Sequence, residues 1–459
     1  MKKIYLIIIG MALTACEDWF DVSPKTEMKA DDMFQDERGF RDALIGAYTL
    51  MTADQIYGKE MVMGFVEALA QTYDGLSTSL GSPYLNTAKY AYAEASEENR
   101  LKGIWKNQYK VIANINGLLS YIEDQKAVFS AGMYEVVKGE ALALRGFLHF
   151  DLLRLFAPAP VTGKERKAIP YVDCYTNQAF SPLTVEQALQ RVITDVDSAR
   201  NYLRKSDLWR PEITEADSTN FSVYFKDRLI HLNYYAATGL LARVYLYQGD
   251  KGKAFTLAKE VIDSKRFPLI AGQNIGAVSR LFPDEHMFSL SKGKLNQVLE
   301  GLFSQGSSMD ALSITVAKLG EIYSTESVST DIRQSWWFED AKIVKFNNSS
   351  RVPLMRVPEM YLIAAECAET TEKGLPYLNE LRVHRNLRAL EDFGEDRTGF
   401  EKAVYDETIR ELLLDGQLFY YFKRNNQTDL PGLGEPIDPE VVYCPPIPVD
   451  EYEFGNMND

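Results

Sequence analysis

The chain has 459 residues, a formal net charge of −15 at pH 7 and 46% hydrophobic residues, so it can bury a large core of two or more packed subdomains. Nucleic acid is not expected as a partner, because phosphate binding needs a basic face. Tyr is abundant at 26 and His is scarce at 4, a balance that favours stacking and hydrogen bonding over metal or acid–base chemistry.

The N-terminus has the pattern of a secretory signal. Lys2 and Lys3 precede a run of uncharged residues that is too short to span a bilayer, which needs about 20 apolar residues. The run has the length of a signal-peptide h-region instead. It ends in Leu13-Thr14-Ala15-Cys16, which resembles the bacterial lipobox, so we expect cleavage before Cys16 and lipid, palmitate included, on that cysteine. An ordinary secretory signal that happens to contain a cysteine is the alternative.

Residues 1–15 are therefore predicted to be a lipoprotein signal peptide, and residues 16–37 a lipidated tether and N-terminal arm. Since residues 1–15 carry two lysines and no acid, the remaining chain has a net charge of −17. Three further cysteines, Cys174, Cys367 and Cys444, are widely spaced. This spacing predicts neither a disulfide framework nor a zinc cluster but buried or half-buried thiols, and we expect no metal and no cofactor.

Apolar residues recur at helical spacing over most of the chain, so the core is predicted to be mainly helical. Thr184 with Gln187 three residues later has the pattern of a capping box, and Pro358 suits a first helical turn. The segment 140–156 is apolar on nearly every face, which predicts a buried helix. The predicted helices after the first, which begins near Phe40, are 105–123, 134–156, 184–203, 234–248, 251–264, 358–369, 375–387 and 400–424.

Internal repetition is present but degenerate. In residues 236–268, Ala242, Tyr245, Ala254 and Ala258 lie close to the tetratricopeptide spacing, with a turn at Gly249-Asp250. Residues 360–385 form a weaker second copy. Isolated helix pairs cannot bury their faces alone, so several are expected to stack into one scaffold.

Segments of another kind lie between the helices. Residues 73–92, 158–180, 206–227 and 267–352 are rich in Gly, Ser, Asn and aromatics and lack helical period over most of their length. Within the last of these, residues 329–348 hold β-forming side chains in short runs, typical of edge or hairpin strands. Loops on a rigid scaffold are where binding usually resides.

Several short motifs follow one another along the chain: Asp21-Val22-Ser23-Pro24, Ala43-Leu44-Ile45-Gly46-Ala47-Tyr48, Leu144-Arg145-Gly146-Phe147-Leu148-His149-Phe150, Glu359-Met360-Tyr361-Leu362, and Pro446-Ile447-Pro448 with Glu451. Together they resemble the SusD/RagB family of surface nutrient-binding lipoproteins of Bacteroidetes. Some positions depart from the family pattern: Thr408, Leu418 and Tyr421 stand where charged residues are common, and Gly455-Asn456 replaces a closing Asn-Pro pair. The chain is also short for the family between residues 267 and 329.

The resemblance implies a SusD-like helical fold, with about four tetratricopeptide-like helix pairs and a loop-rich region with short β-hairpins, over residues 38–459 as one domain. It also implies a partnership with a SusC-like TonB-dependent transporter of the outer membrane, to which the lipoprotein delivers an oligosaccharide during polysaccharide utilization. Acidic Glu17-Asp18 after the cysteine looks like a signal for export to the cell exterior. The family implies no catalysis.

Proteins bind sugars by packing flat aromatic faces against them, while amides and carboxylates form hydrogen bonds with the hydroxyls. The predicted ligand-binding loops are about 73–92, 206–227 and 267–352. The best candidates in them are Tyr73, Asp74, Tyr84, Asn86, Trp336 and Trp337; Trp209, Tyr224 and Tyr323 are weaker. For each aromatic the alternative is a ring that covers loop core, and strand alternation would direct only one of the two tryptophans to a given face. Asp331 and Arg333 are interpreted as structural.

Other residues invite functional interpretations that we do not favour. Arg145 is expected to be paired with an acid inside the fold, and His149 to be a core histidine. Glu366 with Glu369, or Glu407 with Glu411, could imitate a glycosidase pair, but such a pair must flank a cleft at a set separation. The leading hypothesis is a glycan-binding lipoprotein. A peptide-binding protein of the same architecture and a helical scaffold that binds only proteins remain open alternatives, and a hydrolase is the last.

Overall fold

The computed structural model describes residues 30–76, 78–206, 227–270, 279–303, 312–323, 331–340 and 342–458. The predicted signal peptide and the lipidation site Cys16 lie outside the described residues, as do Trp209 and Tyr224. The described part is mainly helical, as the sequence predicts.

In chain order, the helices are α1 (Ala30–Met33), α2 (Glu37–Met51), α3 (Phe65–Leu69), α4 (Leu85–Ala88), α5 (Ala95–Ile122), α6 (Met133–Phe156), α7 (Pro160–Gly163), α8 (Val185–Ser206), α9 (Tyr234–Gln248), α10 (Lys251–Asp263), α11 (Leu295–Phe303), α12 (Val316–Tyr323), α13 (Ile332–Trp337), α14 (Val357–Cys367), α15 (Thr371–His384), α16 (Arg397–Leu412), α17 (Leu418–Arg424), α18 (Pro439–Val442) and α19 (Asp450–Glu453). The strands are β1 (His286–Ser291), β2 (Phe338–Glu339), β3 (Lys342–Ile343) and β4 (Arg351–Arg356). β1 pairs with β4 and β2 with β3, both antiparallel.

The long helices pack in an unbroken series. In the described part α2 packs on α5, α5 on α6, α6 on α8, α8 on α9, α9 on α10, α10 on α14, and α14 on α15. Their buried apolar side chains join one core that runs from Phe34 to Tyr443. The helix pairs therefore stack into a single scaffold, as predicted.

The pair α9 and α10 shows why the sequence folds locally in this way. The Asn233 side chain caps α9 by accepting the N–H of Ala236, and Gly249 ends it with φ +97°, a left-handed conformation that favours glycine. Asp250 then caps α10. Ala254 and Ala258 on α10 are fully buried, because their small side chains let neighbouring helices approach closely. The predicted helix–turn–helix repeat is confirmed here.

Helix α6 forms the centre of the stack, and nearly all of its residues are buried. Arg145 is the charge expected to find an internal partner, and it does: its Nε and Nη2 donate to Asp195 on α8 at 2.6 and 2.7 Å. His149 is fully buried, its Nδ1 lies 2.9 Å from the Arg145 carbonyl oxygen, and its Nε2 accepts the N–H of Val172. Burial lowers the pKa of His149 to about 3, so it is a neutral core histidine, as predicted.

The structure corrects three predicted elements. The predicted helix 400–424 is two helices, α16 and α17, separated by a turn in which Leu414 and Gly416 both have φ +67°. Residues 332–337 are helical rather than extended, because the Asp331 side chain caps α13 by accepting the N–H of Arg333. The segment 267–352 also contains two helices, α11 and α12, although it does contain the predicted short hairpin, β2 with β3.

A cluster of buried charges joins the loop-rich region to the helical stack. Glu411 on α16 accepts hydrogen bonds of 2.8–2.9 Å from Arg333, Arg356 and Arg385, which belong to α13, β4 and the residue after α15. Burial alone would raise the pKa of Glu411, but the three guanidinium groups hold it well below its ordinary value. The carboxylate is therefore ionised and ties three elements together.

Candidate functional site

Two of the predicted binding loops meet at one surface. The N–H of Asp74 donates to the Ser313 carbonyl at 3.0 Å, and the N–H of Thr315 donates to the Asp74 carboxylate at 2.5 Å. Behind this contact, the Lys318 ammonium donates to the Gln71 carbonyl at 2.7 Å. The first loop and α12 are thereby fixed to each other.

A depression of about 380 Å³ lies in the same loop-rich region, between α11 and the turn that follows β3. Its polar lining consists of Asn296 and Glu300, one turn apart on α11, together with Asn347 and Asn348. Among the described residues we find no hydrogen-bond partner for these four side chains, so their amide and carboxylate groups are available to a ligand. The volume falls in the range of small-molecule sites, which is about 300–1,000 Å³.

The floor of the depression is apolar. Leu299, Phe303 and Ile343 line it and are almost fully buried, at 4–9% exposure. The ring of Tyr73 lies 6.3 Å behind that of Phe303, so the first predicted loop supports the floor without lining it. An apolar floor bordered by amides and a carboxylate can bind a molecule with both C–H and hydroxyl surfaces.

The structure places two predicted tyrosines in the core of the loops. Tyr73 is 3% exposed and donates its hydroxyl to the Met63 carbonyl, while Tyr84 is 1% exposed and lies 3.1 Å from a Glu60 oxygen. The guanidinium of Arg100 covers the Tyr84 ring at 4.5 Å. Burial raises the pKa of both hydroxyls well above the ordinary range. In this structure neither ring presents a face to a ligand.

The tryptophan pair divides between core and surface. Trp337 is fully buried, donates its indole N–H to the Arg280 carbonyl and lies beneath the Lys345 ammonium at 3.9 Å. Trp336 is half-buried, with Arg280 stacked on its ring at 5.5 Å. The pair is separated by the turn of α13 and not by strand alternation. Trp336 is thus the one of the two that a ligand could reach.

The other predicted side chains are near the loop surface or serve structure. Asp74 and Asn86 are both half-buried, and the Asn86 amide donates to Ser96. Tyr323 is buried and donates to the Arg410 carbonyl. Asp331 and Arg333 form a buried salt bridge at 2.6 Å, in line with their structural interpretation.

Neither acidic pair considered for hydrolysis flanks a cleft in the manner of a glycosidase. Glu407 and Glu411 are buried among arginines, where they form ion pairs inside the fold. Glu366 is held by Arg424 at 2.5 Å, and exposed Glu369 pairs with Lys373. These carboxylates serve internal and surface ion pairs.

Sequence reasoning missed the residues that line the depression. Asn347-Asn348 in a Ser- and Asn-rich turn, and Asn296 four residues before Glu300, are the signals that could have indicated them. The remaining thiols are unpaired: Cys367 is buried and Cys444 half-buried, as predicted, whereas Cys174 is exposed, contrary to prediction. Within the described ranges no group of three or more His, Cys, Asp or Glu side chains is arranged to hold a metal ion. The same ranges contain no helix with the length and apolarity needed to cross a membrane.

The chain is similar in sequence to SusD-like proteins. Residues 18–246, about half of the chain, match the SusD-like family model described as "Starch-binding associating with outer membrane". SusD-like protein P25 of Formosa agariphila is 20% identical over 89% of this chain and 86% of its own length.

Solved structures share the fold. A SusD superfamily protein of Bacteroides thetaiotaomicron aligns with a TM-score of 0.74 and 21% identity, over 92% of this chain and 99% of that one. A SusD-like carbohydrate binding protein of Bacteroides vulgatus aligns with a TM-score of 0.68 and 18% identity, over 86% of this chain and 84% of that one. With the helical stack, the loop-rich region and the family-model match in agreement, the chain belongs to the SusD-like family.

Proposed function

We propose that this protein binds a carbohydrate at the outer-membrane surface and delivers it to a SusC-like TonB-dependent transporter. Three lines support the proposal: the description of the matching family as starch-binding and associating with the outer membrane, the carbohydrate-binding relative among the solved structures, and the depression on the loop surface. The depression carries the most weight, because it belongs to this chain itself.

The lining of the depression suits a sugar. A pyranose offers C–H patches that pack on an apolar floor such as Leu299 and Phe303, and hydroxyls that need donors and acceptors. Asn296 and Asn347 supply both kinds of group, and Glu300 accepts hydrogen bonds from hydroxyls as a carboxylate does. Trp336, Asp74 and Asn86 remain candidates for contacts with a longer oligosaccharide that extends beyond the depression.

The proposed role is binding without catalysis. A glycosidase needs two carboxylates that flank the scissile bond at a set distance. Glu300 is the carboxylate that lines the depression among the described residues, and its companions there are amides. Such a lining supports capture of a sugar rather than cleavage of its glycosidic bond.

The proposed attachment to the membrane rests on the sequence. After cleavage of the signal of residues 1–15, lipid on Cys16 and the tether and N-terminal arm of residues 16–37 would hold the domain at the cell exterior beside its transporter. The arm is already joined to the domain at Phe34, which lies in the core. More than one acyl chain is needed for stable anchoring, as expected for a bacterial lipoprotein.

Variants of the depression test the proposed site. In native gels cast with single polysaccharides, we expect the wild-type protein to be retarded by at least one of them. Asn296→Ala and Glu300→Gln should each weaken this retention about tenfold, because each removes hydrogen bonds to the ligand. Gln297→Ala is the matched control, since Gln297 is an exposed neighbour on α11 outside the lining. Equal retention of all four proteins would exclude the depression as the binding site.

A further inference from the structure

A narrow crevice lies among helices of the stack, and it shares no lining residue with the depression on the loop surface. It is bordered by side chains of α6, α9, α14, α16 and α17, and it has a volume of about 50 Å³. A buried site needs roughly 10–15 Å³ to hold one water-sized molecule. The crevice therefore has room for a ligand of a few atoms and for nothing as large as a sugar.

Three buried polar atoms of the crevice have no protein partner. Arg243 Nη1, Tyr247 Oη and Tyr420 Oη make no hydrogen bond to any described residue, although their residues are only 5%, 5% and 3% exposed. The described part of the chain has seven such side-chain atoms, and three of them belong to residues that line this one crevice. Since buried polar groups are nearly always satisfied, a cluster of three indicates that a molecule occupies the crevice, either ordered water or a ligand.

The three groups have the chemistry of hydrogen-bond donors. A guanidinium can only donate, and Nη1 is the nitrogen of Arg243 left over after Nε and Nη2 bind Glu359 at 2.7 and 2.5 Å. Burial raises the pKa of Tyr247 and Tyr420 far above neutral, so each keeps its O–H. A ligand that satisfies all three must accept hydrogen bonds.

The charges that line the crevice are already balanced. Arg243 is paired with Glu359 and Arg424 with Glu366, while Arg154 is paired with Asp151 at 2.7 Å. Arg154 also stacks on the ring of Tyr420 at 3.9 Å, which fixes the direction of that side chain. Each of these carboxylates therefore already has an arginine partner, and none of them accepts a hydrogen bond from Arg243 Nη1 or from the two tyrosine hydroxyls.

We propose that the crevice binds one small monovalent anion, a chloride ion or a carboxylate group, held by Arg243 Nη1 and the hydroxyls of Tyr247 and Tyr420. An anion accepts from every donor at once, and charge-assisted hydrogen bonds of this kind are roughly twice as strong as neutral ones. Tyr247 belongs to α9 and Tyr420 to α17, so the anion joins the short helix α17 to the stack. This site is independent of the proposed carbohydrate binding.

Crystallography with bromide tests the site directly. In crystals grown with bromide as the halide, we expect an anomalous difference peak within hydrogen-bonding distance of Arg243 Nη1 and both tyrosine hydroxyls. Ordered water at that position, without an anomalous peak, would overturn the proposal.

Thermal unfolding at constant ionic strength tests it in solution. When chloride replaces methanesulfonate, a bulkier monovalent anion that has no carboxylate group, Tm should rise by roughly 3 °C over a hundredfold increase in chloride above Kd. A second titration with acetate in place of chloride distinguishes the two candidate anions. If Tm rises at a lower concentration of acetate than of chloride, the site is assigned to a carboxylate group. If Tm rises at a lower concentration of chloride than of acetate, the site is assigned to a halide. No rise with either anion would contradict an anion site.

A double tyrosine variant tests whether the anion-dependent rise in Tm comes from this crevice. The double variant Tyr247→Phe with Tyr420→Phe should lose most of the anion-dependent rise, because only Arg243 Nη1 would remain as a donor. Tyr92→Phe is the matched control: Tyr92 is also buried, but its hydroxyl donates to the Val442 carbonyl at 2.7 Å outside the crevice. Tyr92→Phe should have a lower Tm than the wild-type protein, but its Tm should show the full anion-dependent rise. An undiminished rise in the double variant would overturn the assignment.

Discussion

Buried charges such as Arg145 and Glu411 are paired with groups of opposite charge, and Lys423 on α17 departs from that pattern. Its ammonium is fully buried and donates to the Leu155 carbonyl at 3.1 Å, while no carboxylate of the described residues lies within salt-bridge distance. Burial lowers the pKa of Lys423 to about 7, because removing the charged form from water is costly. In an unfolded chain the same side chain has a pKa of about 10.4.

Lys423→Met is therefore expected to stabilise the protein at pH 7, by roughly 1–4 kcal/mol, because it removes a buried charge without a partner. Between about pH 7 and pH 10 the unfolded wild-type chain binds one more proton than the folded chain, so the free energy of unfolding of the wild type rises with pH. The advantage of the variant should shrink over that range. Urea unfolding of both proteins at pH 7, 8 and 9 measures the difference in their free energies of unfolding. A difference that does not change with pH would contradict the low pKa of Lys423.

Residue-level predictions succeeded for the helices and less well for the loops. Arg145 and His149 lie in an apolar helical run, and that context alone indicates burial and internal pairing. The rings of Tyr73, Tyr84 and Trp337 lie in polar, irregular segments, where the sequence does not reveal which of them is covered. Their partners, Met63, Glu60 and Arg280, are identified only by the folded chain.

At the scale of elements, close packing of α6 on α8 depends on glycine. A Cβ added at Gly139 would lie 2.7 Å from Leu203 Cγ and 3.1 Å from the Ala199 carbonyl oxygen. The backbone of α8 cannot move aside as a flexible side chain can. The close approach of α6 to α8 therefore requires a glycine at position 139.

Gly139→Ala should destabilise the protein by about 1–2 kcal/mol, because overpacking outweighs the better helix propensity of alanine. Gly46→Ala on α2 is the matched control, since a Cβ there has no neighbour within 4 Å. The control should be neutral or stabilising by up to about 1 kcal/mol. Chemical unfolding of both variants gives the comparison, and equal effects would show that α6 and α8 can separate at no cost.

Element boundaries were predictable where they depend on local sequence. The reciprocal hydrogen bonds of Thr184 and Gln187 confirm the predicted capping box of α8. The break between α16 and α17 has a distant cause: the carboxylate of Glu67 on α3 accepts the N–H groups of Leu414 and Gly416 at 2.7 and 3.0 Å. A contact between residues so far apart along the chain leaves no signal in local periodicity.

At the scale of the whole molecule, the fold followed from the order of motifs and the helical repeats, whereas the candidate site did not. The predicted loops 73–92 and 267–352 do meet, through Asp74 and Thr315. The depression is lined by polar side chains of α11 and of the turn after β3. Leu295, Leu299 and Leu302 recur at helical spacing, but this run is only nine residues long and lies within a segment otherwise rich in loop residues, so α11 was missed. Long-range packing determines which polar residues face one cavity.

Attachment to the membrane is predicted to depend on one cysteine. Cys16→Ala should release the protein from the membrane fraction without unfolding it, because the lipid and not the domain provides the anchor. Cys174→Ala, which removes an exposed thiol elsewhere, should stay in the membrane fraction. Fractionation of cells that produce each variant measures this, and a Cys16→Ala protein that remains attached after signal cleavage would contradict lipid as the sole anchor.

Calorimetry of the purified protein with a panel of plant and algal oligosaccharides, and with a matched panel of peptides, tests carbohydrate capture most directly. We expect saturable heat with at least one class of glycan, a weaker response from the Glu300→Gln variant, and no heat from peptides. A flat response to every glycan together with saturable binding of peptides would contradict carbohydrate capture and favour a peptide-binding protein of the same fold.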